Sequence, residues 1–404
     1  MNAKVIVLTK FFRSNVGGAD LETFLLVKNV LSKHFNTIVV SGTKRLEPNV
    51  PKSVSYIYWS VLETKYKPIE WLKLIAELNT LRSLLEKADI IYIPSQDLMP
   101  LAILMKAIKP SIRIILHLHN YQLLTFSSIV LAGRQPDVAT DVLVEYGEHR
   151  NLLRGILAGY GHYLNYIYRL IPLYADKIIC VSRKQCSILQ RYLPSLRDKT
   201  VIIYNLPPPL PNINKKINQE PVLIYAGGGS YIKGYHLFLQ ILPRVLSKTK
   251  CRVYGTFGQE VSRREWAFLE RLSRNFHGKF IPLNRMPREK YLKLHETAWG
   301  LLFPSICEEP LPYTIVESML IGTIPIAANV GGVSEIVKGT PAEGYLFKPW
   351  NIDGIVERVS VLSSQSREDV IHAGIKLREY ISKLFNREKI EQEIIKLFEY
   401  TLSK

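Results

Sequence analysis

The chain has 404 residues, 47% of them apolar and 22% charged, which excludes a disordered or fibrous polypeptide and predicts two or three globular domains at roughly 150 residues each. Lys and Arg number 53 against 35 Asp and Glu, a net charge of +18 whose field draws nucleic acid, anionic lipid or phosphorylated ligands. No block of like charge forms a tail, no nucleic-acid module signature is present and no run of about 18 apolar residues offers a transmembrane helix, so a membrane surface or a nucleotide-type ligand is favoured, with a merely Lys-rich surface as the plain alternative.

The N-terminus, MNAKVIVLTKFF, reads as a short apolar strand rather than a signal peptide, since its apolar run is brief and charge follows it. VIVLT (5–9) is a strand, SNVGGADLE (14–22) a turn, ETFLLVKNVLSKH (22–34) a helix by its apolar spacing, and TIVVSG (37–42) the next strand. A basic helix follows over 69–87. DIIYIP (89–94), IRIILHLH (112–119) and DKIICVS (176–182) are strands with little alternation, the pattern of a parallel sheet covered on both faces. Between the last two, about 145–174 reads as one helical tract. Its uncharged stretch GILAGYGHYLNYIY (155–168) is read as a buried helix, although its Tyr content also suits a membrane interface.

LPPPLPNINKKINQ (206–219) cannot continue a helix or a central strand and reads as an interdomain linker. The rhythm then restarts. VLIYA (222–226), the Gly-rich turn GGGSYIKG (227–234) and a helix over 235–247 lead to the strands CRVYGTF (251–257), KFIPL (279–283), GLLFPS (300–305) and TIPIAA (323–328). The last helix, 387–402, carries an apolar stripe of Ile390, Ile394, Leu397 and Phe398 that must dock somewhere. Two doubly wound α/β domains facing a central cleft account for this order. The expected divisions are 1–205, the linker 206–219, 220–385, and a C-terminal helix over 386–404. The four cysteines, at 180, 186, 251 and 307, form no C-x-x-C pair, which argues against zinc and for a reducing compartment.

The stretch with chemical content is 307–327, CEEPLPYTIVESMLIGTIPIA. Pro312 suits the first turn of a helix, and the amides of Tyr313 and Thr314 then stand at its positive end, a ready site for phosphate. Glu309 precedes that helix and Glu317 lies within it, so at 1.5 Å rise their carboxylates sit on the order of 10 Å apart, the reach from a sugar past a diphosphate to a ribose. Each accepts two hydroxyl donors, which polyol recognition requires. A solvated helix start with favourable acids is the plain alternative.

The segment EPLPYTIVESMLIGTIPIAANVGGVSEIV (309–337) resembles the donor-site signature of glycosyltransferase family 4, the GT-B retaining glycosyltransferases. SNVGGAD resembles that family's N-terminal Gly-Gly loop, LHLHNYQLL (116–124) its acceptor-side histidine segment, YAGGGSYIKGY its phosphate turn and EGYLFKP (343–349) its closing strand. The resemblance implies a GT-B fold, with the last helix crossing back to the N-domain. It implies that Glu309 binds donor-sugar hydroxyls, Glu317 the nucleotide ribose, and Leu311, Tyr313 and Thr314 offer backbone donors. Pro310 and Pro312 cannot donate, which thins that cradle. Lys233 would neutralise the diphosphate, Gly17, Gly18, Gly228 and Gly229 would let backbone approach phosphate, and His119 would contact the transferred sugar, with His117 deeper on the same strand face.

One position departs from the family pattern: the arginine usual five residues before the lysine is Gly228, and Arg285 and Arg13 are candidates to replace its charge. The implied activity is metal-independent transfer of a hexose from a nucleotide-diphosphate sugar such as a UDP- or GDP-hexose to a glycan or lipid-linked hydroxyl. No resident cofactor or metal, no nucleic-acid partner, and a cytoplasmic location at or near an anionic membrane face accompany it. A non-catalytic sugar- or lipid-binding relative, an NDP-sugar epimerase and a nucleic-acid-binding protein remain the alternatives.

Overall fold

The computed structural model describes residues 3–14, 18–64, 67–258 and 260–403. Contacts divide the chain into two compact units: Met1–Ser128 with Tyr160–Leu206 and Asn386–Lys404, and Ile129–Gly159 with Pro207–Phe385.

Among the described residues, the first unit holds seven parallel strands: β1 (Lys4–Thr9), β2 (Asn36–Ser41), β3 (Ser55–Tyr58), β4 (Ile90–Ile93), β5 (Arg113–Leu118), β6 (Lys177–Cys180) and β7 (Thr200–Ile202), in the order β3-β2-β1-β4-β5-β6-β7. The second holds six: β8 (Val222–Tyr225), β9 (Arg252–Phe257), β10 (Phe280–Asn284), β11 (Gly300–Phe303), β12 (Ile324–Ala328) and β13 (Leu346–Phe347), in the order β10-β9-β8-β11-β12-β13. Both are Rossmann-like sheets, reversing direction beside their first strand. The central strands are apolar throughout because helices cover both faces: Val5–Leu8, Ile90–Ile93 and Val222–Tyr225 are all buried.

Several expectations need redrawing. β3 went unread as a strand; SYIY there is half-exposed and lacks the apolar run of its neighbours. The expected 145–174 helix is two helices, Val138–His149 and Leu152–Tyr174, broken where Arg150 takes a left-handed conformation at φ +51°. Residues 129–159, expected within the first domain, group with the second unit. The reason is visible in hydrogen bonds: Ala132 N–H donates to Ile306 O at 2.8 Å and Glu308 N–H to Val130 O at 2.8 Å. The stretch expected as a linker is not loose chain beyond 206. Lys215 Nζ donates to His295 O (2.6 Å), Ala298 O (2.6 Å) and Thr323 Oγ1 (2.7 Å), anchoring it to the second unit.

The C-terminal helix, Arg387–Leu402, groups with the first unit and buries the stripe read from its spacing. Its Phe398 ring lies 5.6 Å from Phe35 and 5.7 Å from Tyr92. All four cysteines are unpaired and buried.

Candidate functional site

In the second unit the chemistry-bearing side chains gather where strands end, on either side of the point where strand order reverses between β8 and β11. The turn after β8 carries Gly228, Gly229 and Lys233; the loop after β11 carries Ser305, Cys307 and Glu309. Such an edge is where open parallel sheets place ligands.

Two glycines hold these loops against their neighbours. Gly234, at φ +76°, starts the helix Tyr235–Lys248, and a Cβ there would lie 1.9 Å from Pro304 O. Ile306 N–H donates to Ile232 O at 2.9 Å, so the β8 turn and the β11 loop are stitched backbone to backbone. Gly331, at φ +46°, presses on Glu309: a Cβ would stand 2.0 Å from Glu309 O, and Gly332 N–H donates to that same oxygen at 2.7 Å. The Gly-Gly-x-x-Glu turn read from the sequence therefore acts on the acid by close backbone approach.

Held this way, Glu309 is only 5% exposed, and its Oε1 accepts from Lys233 Nζ (2.6 Å), Ser305 Oγ (2.7 Å) and the Cys307 thiol (3.4 Å). The Lys233 side chain keeps 37% of its surface open, so a ligand can still reach it. Burial works to lower its pKa, and the Glu309 carboxylate more than offsets this, leaving Lys233 raised and firmly cationic. The same surroundings push the Cys307 thiol up, burial first and Glu309 second, so it stays protonated.

Glu317 lies in the helix Tyr313–Ile321, also 5% exposed. Burial raises its pKa, while Arg288 opposes this with Nε donating to Glu317 Oε1 at 2.8 Å. Arg288 also donates to Pro209 O at 2.9 Å. The helix's first inward bond runs from Ile315 N–H to Pro312 O (3.0 Å), so the amides of Tyr313 and Thr314 precede the ladder at its positive end, with Leu311 buried just before.

Sequence reasoning missed three participants. Arg288, the first residue of the helix Arg288–Leu294, binds Glu317; of the two arginines named as candidates from the sequence, Arg285 lies by Glu260, and Arg13, in the first unit, stands 5.5 Å over the Phe11 ring. Glu148 accepts from Ser230 Oγ and Ile232 N–H, both at 2.8 Å, and so braces the turn bearing Lys233. Glu260 accepts from Gly229 N–H (3.1 Å) and Gly258 N–H (2.9 Å). Those amides and Arg285 outweigh its burial and keep its pKa low, so a carboxylate sits in the Gly-rich turn. At the position of the missing arginine, Gly228 has φ +60°, a conformation that disfavours a side chain, and a Cβ there would lie 2.4 Å from Glu260 Oε1. Beside it, at the ends of β9 and β10, a cavity of about 640 Å³ is lined by Phe257, Glu260, Trp266 and Arg285.

In the first unit, His119 follows β5. Its ring lies 4.2 Å from that of His117, whose Nδ1 meets Tyr92 Oη at 2.7 Å. Burial lowers His119 to about 4, so it is neutral at pH 7, and His117 is lowered further by burial and by His119. Gly17 lies outside the described residues. Gly18 opens the helix Gly18–Leu26 and lines a cavity of about 300 Å³ with Lys10, Asp20, Ser95 and Asp97, at the ends of β1 and β4 where this sheet's order reverses.

Two family models match the chain: Glycosyltransferase Family 4 over residues 16–206 and Glycosyl transferases group 1 over residues 209–382. A glycogen synthase of Elusimicrobium minutum is 28% identical over 176 residues, covering 42% of this chain and 36% of the relative. An uncharacterized glycosyltransferase of Methanocaldococcus jannaschii is 26% identical over 206 residues, 45% of this chain and 50% of the relative. The chain thus spans half or less of the length of these curated relatives. Among solved structures, a sucrose-phosphate synthase from Thermosynechococcus elongatus overlays with a TM-score of 0.73 at 15% identity, covering 100% of both chains. Anabaena HepE in complex with UDP and glucose overlays with a TM-score of 0.70 at 16% identity, covering 99% of this chain and 100% of that one. These likenesses establish the GT-B fold.

Proposed function

We infer that this chain, which belongs to the family 4 glycosyltransferases, moves a hexose from a nucleotide-diphosphate sugar to a hydroxyl of a glycan or lipid-linked acceptor, retaining the anomeric configuration and using no metal. The observation that carries the reading is the buried Glu309 carboxylate paired with a Lys233 ammonium still open to a ligand, at the point where the strand order reverses. HepE, of the same fold, is known with UDP-glucose bound, which supports the donor class.

In this reading Lys233 meets the diphosphate and holds the charge that grows on it as the glycosidic bond breaks, work assisted by the amides at the start of helix Tyr313–Ile321. Glu309 accepts from the sugar's hydroxyls with the oxygen not occupied by Lys233. Glu317, steadied by Arg288, accepts from the ribose. The cavity at the ends of β9 and β10 takes the base against Trp266. His119, neutral at working pH, donates or accepts at a sugar hydroxyl without adding charge. The acceptor lies against the first unit's polar cavity, and a lipid-linked acceptor brings the protein to an anionic membrane face.

A panel of UDP-, GDP- and ADP-hexoses tests this. The right donor raises the unfolding midpoint, because it binds the native state alone. It then releases nucleoside diphosphate on acceptor addition, undiminished by EDTA, and product NMR reports the same anomer as the donor. Binding without release in any acceptor mixture would favour the non-catalytic relative, a reading that the Glu260 carboxylate beside Gly228 keeps alive. Loss of release in EDTA would remove metal independence.

A further inference from the structure

The helix Leu152–Tyr174 turns much of its apolar surface outward, although Tyr168 and Ile171 are buried. Within its Tyr160–Tyr174 portion, which belongs to the first unit, the polar side chains His162 and Asn165 are buried, while Tyr160, Tyr163, Ile167 and Leu170 face outward, Tyr160 at 72% exposure. A water-facing helix shows the opposite pattern. The neighbouring helix Lys67–Ala76 does the same: Leu74 is buried and Glu70 is fully buried and paired with Lys10 at 2.9 Å, while Leu72 and Ile75 are exposed, Leu72 at 69%. The two helices meet through Trp71 and Tyr168, whose rings lie 6.0 Å apart, so their outward apolar residues form one surface. The sequence expectation of a buried helix is corrected here: the residues are apolar, and they are outside.

We propose that this face, built on Leu72, Ile75, Tyr160, Tyr163, Ile167 and Leu170, is the surface by which the protein lies on an anionic lipid bilayer. Three features select that occupant. First, no Asp or Glu occurs between Asn151 and Ala175, and the cations beside the face are Lys73, Arg169, which stands 4.8 Å over the Tyr166 ring, and Lys199, which donates to Pro172 O and Leu173 O at 2.8 and 2.9 Å. Of the acids beside the two helices, Glu70 is buried against Lys10, Glu77 accepts from Trp59 Nε1, and Asp176 pairs with Lys106 and Arg113 at 3.0 and 3.3 Å. Second, tyrosines present an apolar body and a polar tip, the chemistry of the headgroup boundary. Third, no described helix is long and apolar enough to cross a membrane, so the face lies on a bilayer instead of entering it. A second copy of the chain fits less well, because a two-fold contact would set this basic rim against itself.

The inference deepens the reading of a lipid-linked acceptor and takes its purpose from that reading, but it is measured without any sugar. The full chain is pelleted with phosphatidylcholine vesicles with and without phosphatidylglycerol. The expected result is binding to the anionic vesicles alone, weakened by salt. The triple substitution Tyr163→Ser, Ile167→Ser and Leu170→Ser lowers it by about tenfold or more while the circular dichroism and any nucleotide-sugar thermal shift stay unchanged. The pair Leu72→Ser and Ile75→Ser, on the other helix, repeats the test should the triple variant fold poorly. Undiminished pelleting of both folded variants overturns the proposal. So does equal binding to neutral vesicles, and so does a dimer in sedimentation velocity that the same substitutions disperse. Failure of every nucleotide sugar to bind would overturn the transfer reaction and leave this surface untouched.

Discussion

Replacing Glu309 by Gln separates the acid's chemical role from its structural one. The amide is isosteric, and its carbonyl oxygen can still accept from Lys233 Nζ, Ser305 Oγ and the Cys307 thiol, the three contacts Oε1 now makes. What is lost is the charge. Because Lys233 keeps 37% of its side chain open, water screens that pair, and the loss in stability is about 1 kcal/mol, or about 2–4 °C in midpoint. The loss in reaction is larger. A preorganised charged acceptor on the transferring sugar contributes about 2–4 kcal/mol in the transition state, so kcat/KM falls by roughly 30- to 1,000-fold.

Lys233→Ala has the reverse balance. It leaves a buried carboxylate without its cation, an effect of about 1–3 kcal/mol after allowing for the same screening. Combining it with Glu309→Gln restores part of that stability, since no charge is then left behind. Thermal unfolding and nucleoside diphosphate release on the donor found by the panel read both quantities. A folded Glu309→Gln protein with kcat/KM within about threefold of wild type refutes the reasoning.

Gly331→Ala drives a methyl group to 2.0 Å from Glu309 O at a φ of +46°, so donor binding should weaken by about tenfold or more while His119 and the rest of the first unit stay unperturbed; calorimetric titration with donor measures it, and unchanged affinity contradicts the clamp. Glu260→Gln keeps acceptors for the Gly229 and Gly258 amides but removes a negative charge from the phosphate turn, so nucleoside diphosphate should bind several-fold tighter, about 1 kcal/mol; weaker binding would mean that the carboxylate serves the ligand. His295 is fully buried, and burial followed by the nearby Lys215 lowers it to about 3. A base with a depressed folded pKa stabilises fully above its unfolded value near 6.5 and loses that contribution as pH falls towards the folded value, so pH 5 costs about 2 kcal/mol. The unfolding midpoint should drop between pH 7 and 5, less steeply in His295→Gln; equal slopes would contradict the assignment.

The sequence carried much of the architecture because buried parallel strands are unbroken apolar runs, and VIVLT, IRIIL and VLIY have no competing reading. It also singled out Glu309, Glu317, Lys233 and the glycines, because the short motifs that hold them carry the family resemblance. It did not reveal Glu148, Glu260 or Arg288, because each acts on a partner between 29 and 84 residues away and looks locally like any charged surface residue. The helix break at Arg150 escaped notice for a related reason: a left-handed arginine has no compositional mark, and the tertiary contacts around it decide the conformation. The uncharged run 155–168 reads as a buried helix, yet which side turns inward depends on tertiary packing such as that of Trp71 against Tyr168, which composition does not show.

The glycines at 234 and 331 have a bearing on how this protein can be re-engineered. They hold the loops that carry a cation and an acid by close main-chain approach, which a side chain at either position would break. Libraries that diversify Leu311 to change sugar preference would therefore leave the two loops in register, provided those two glycines and the Ser305 and Cys307 donors to Glu309 are kept.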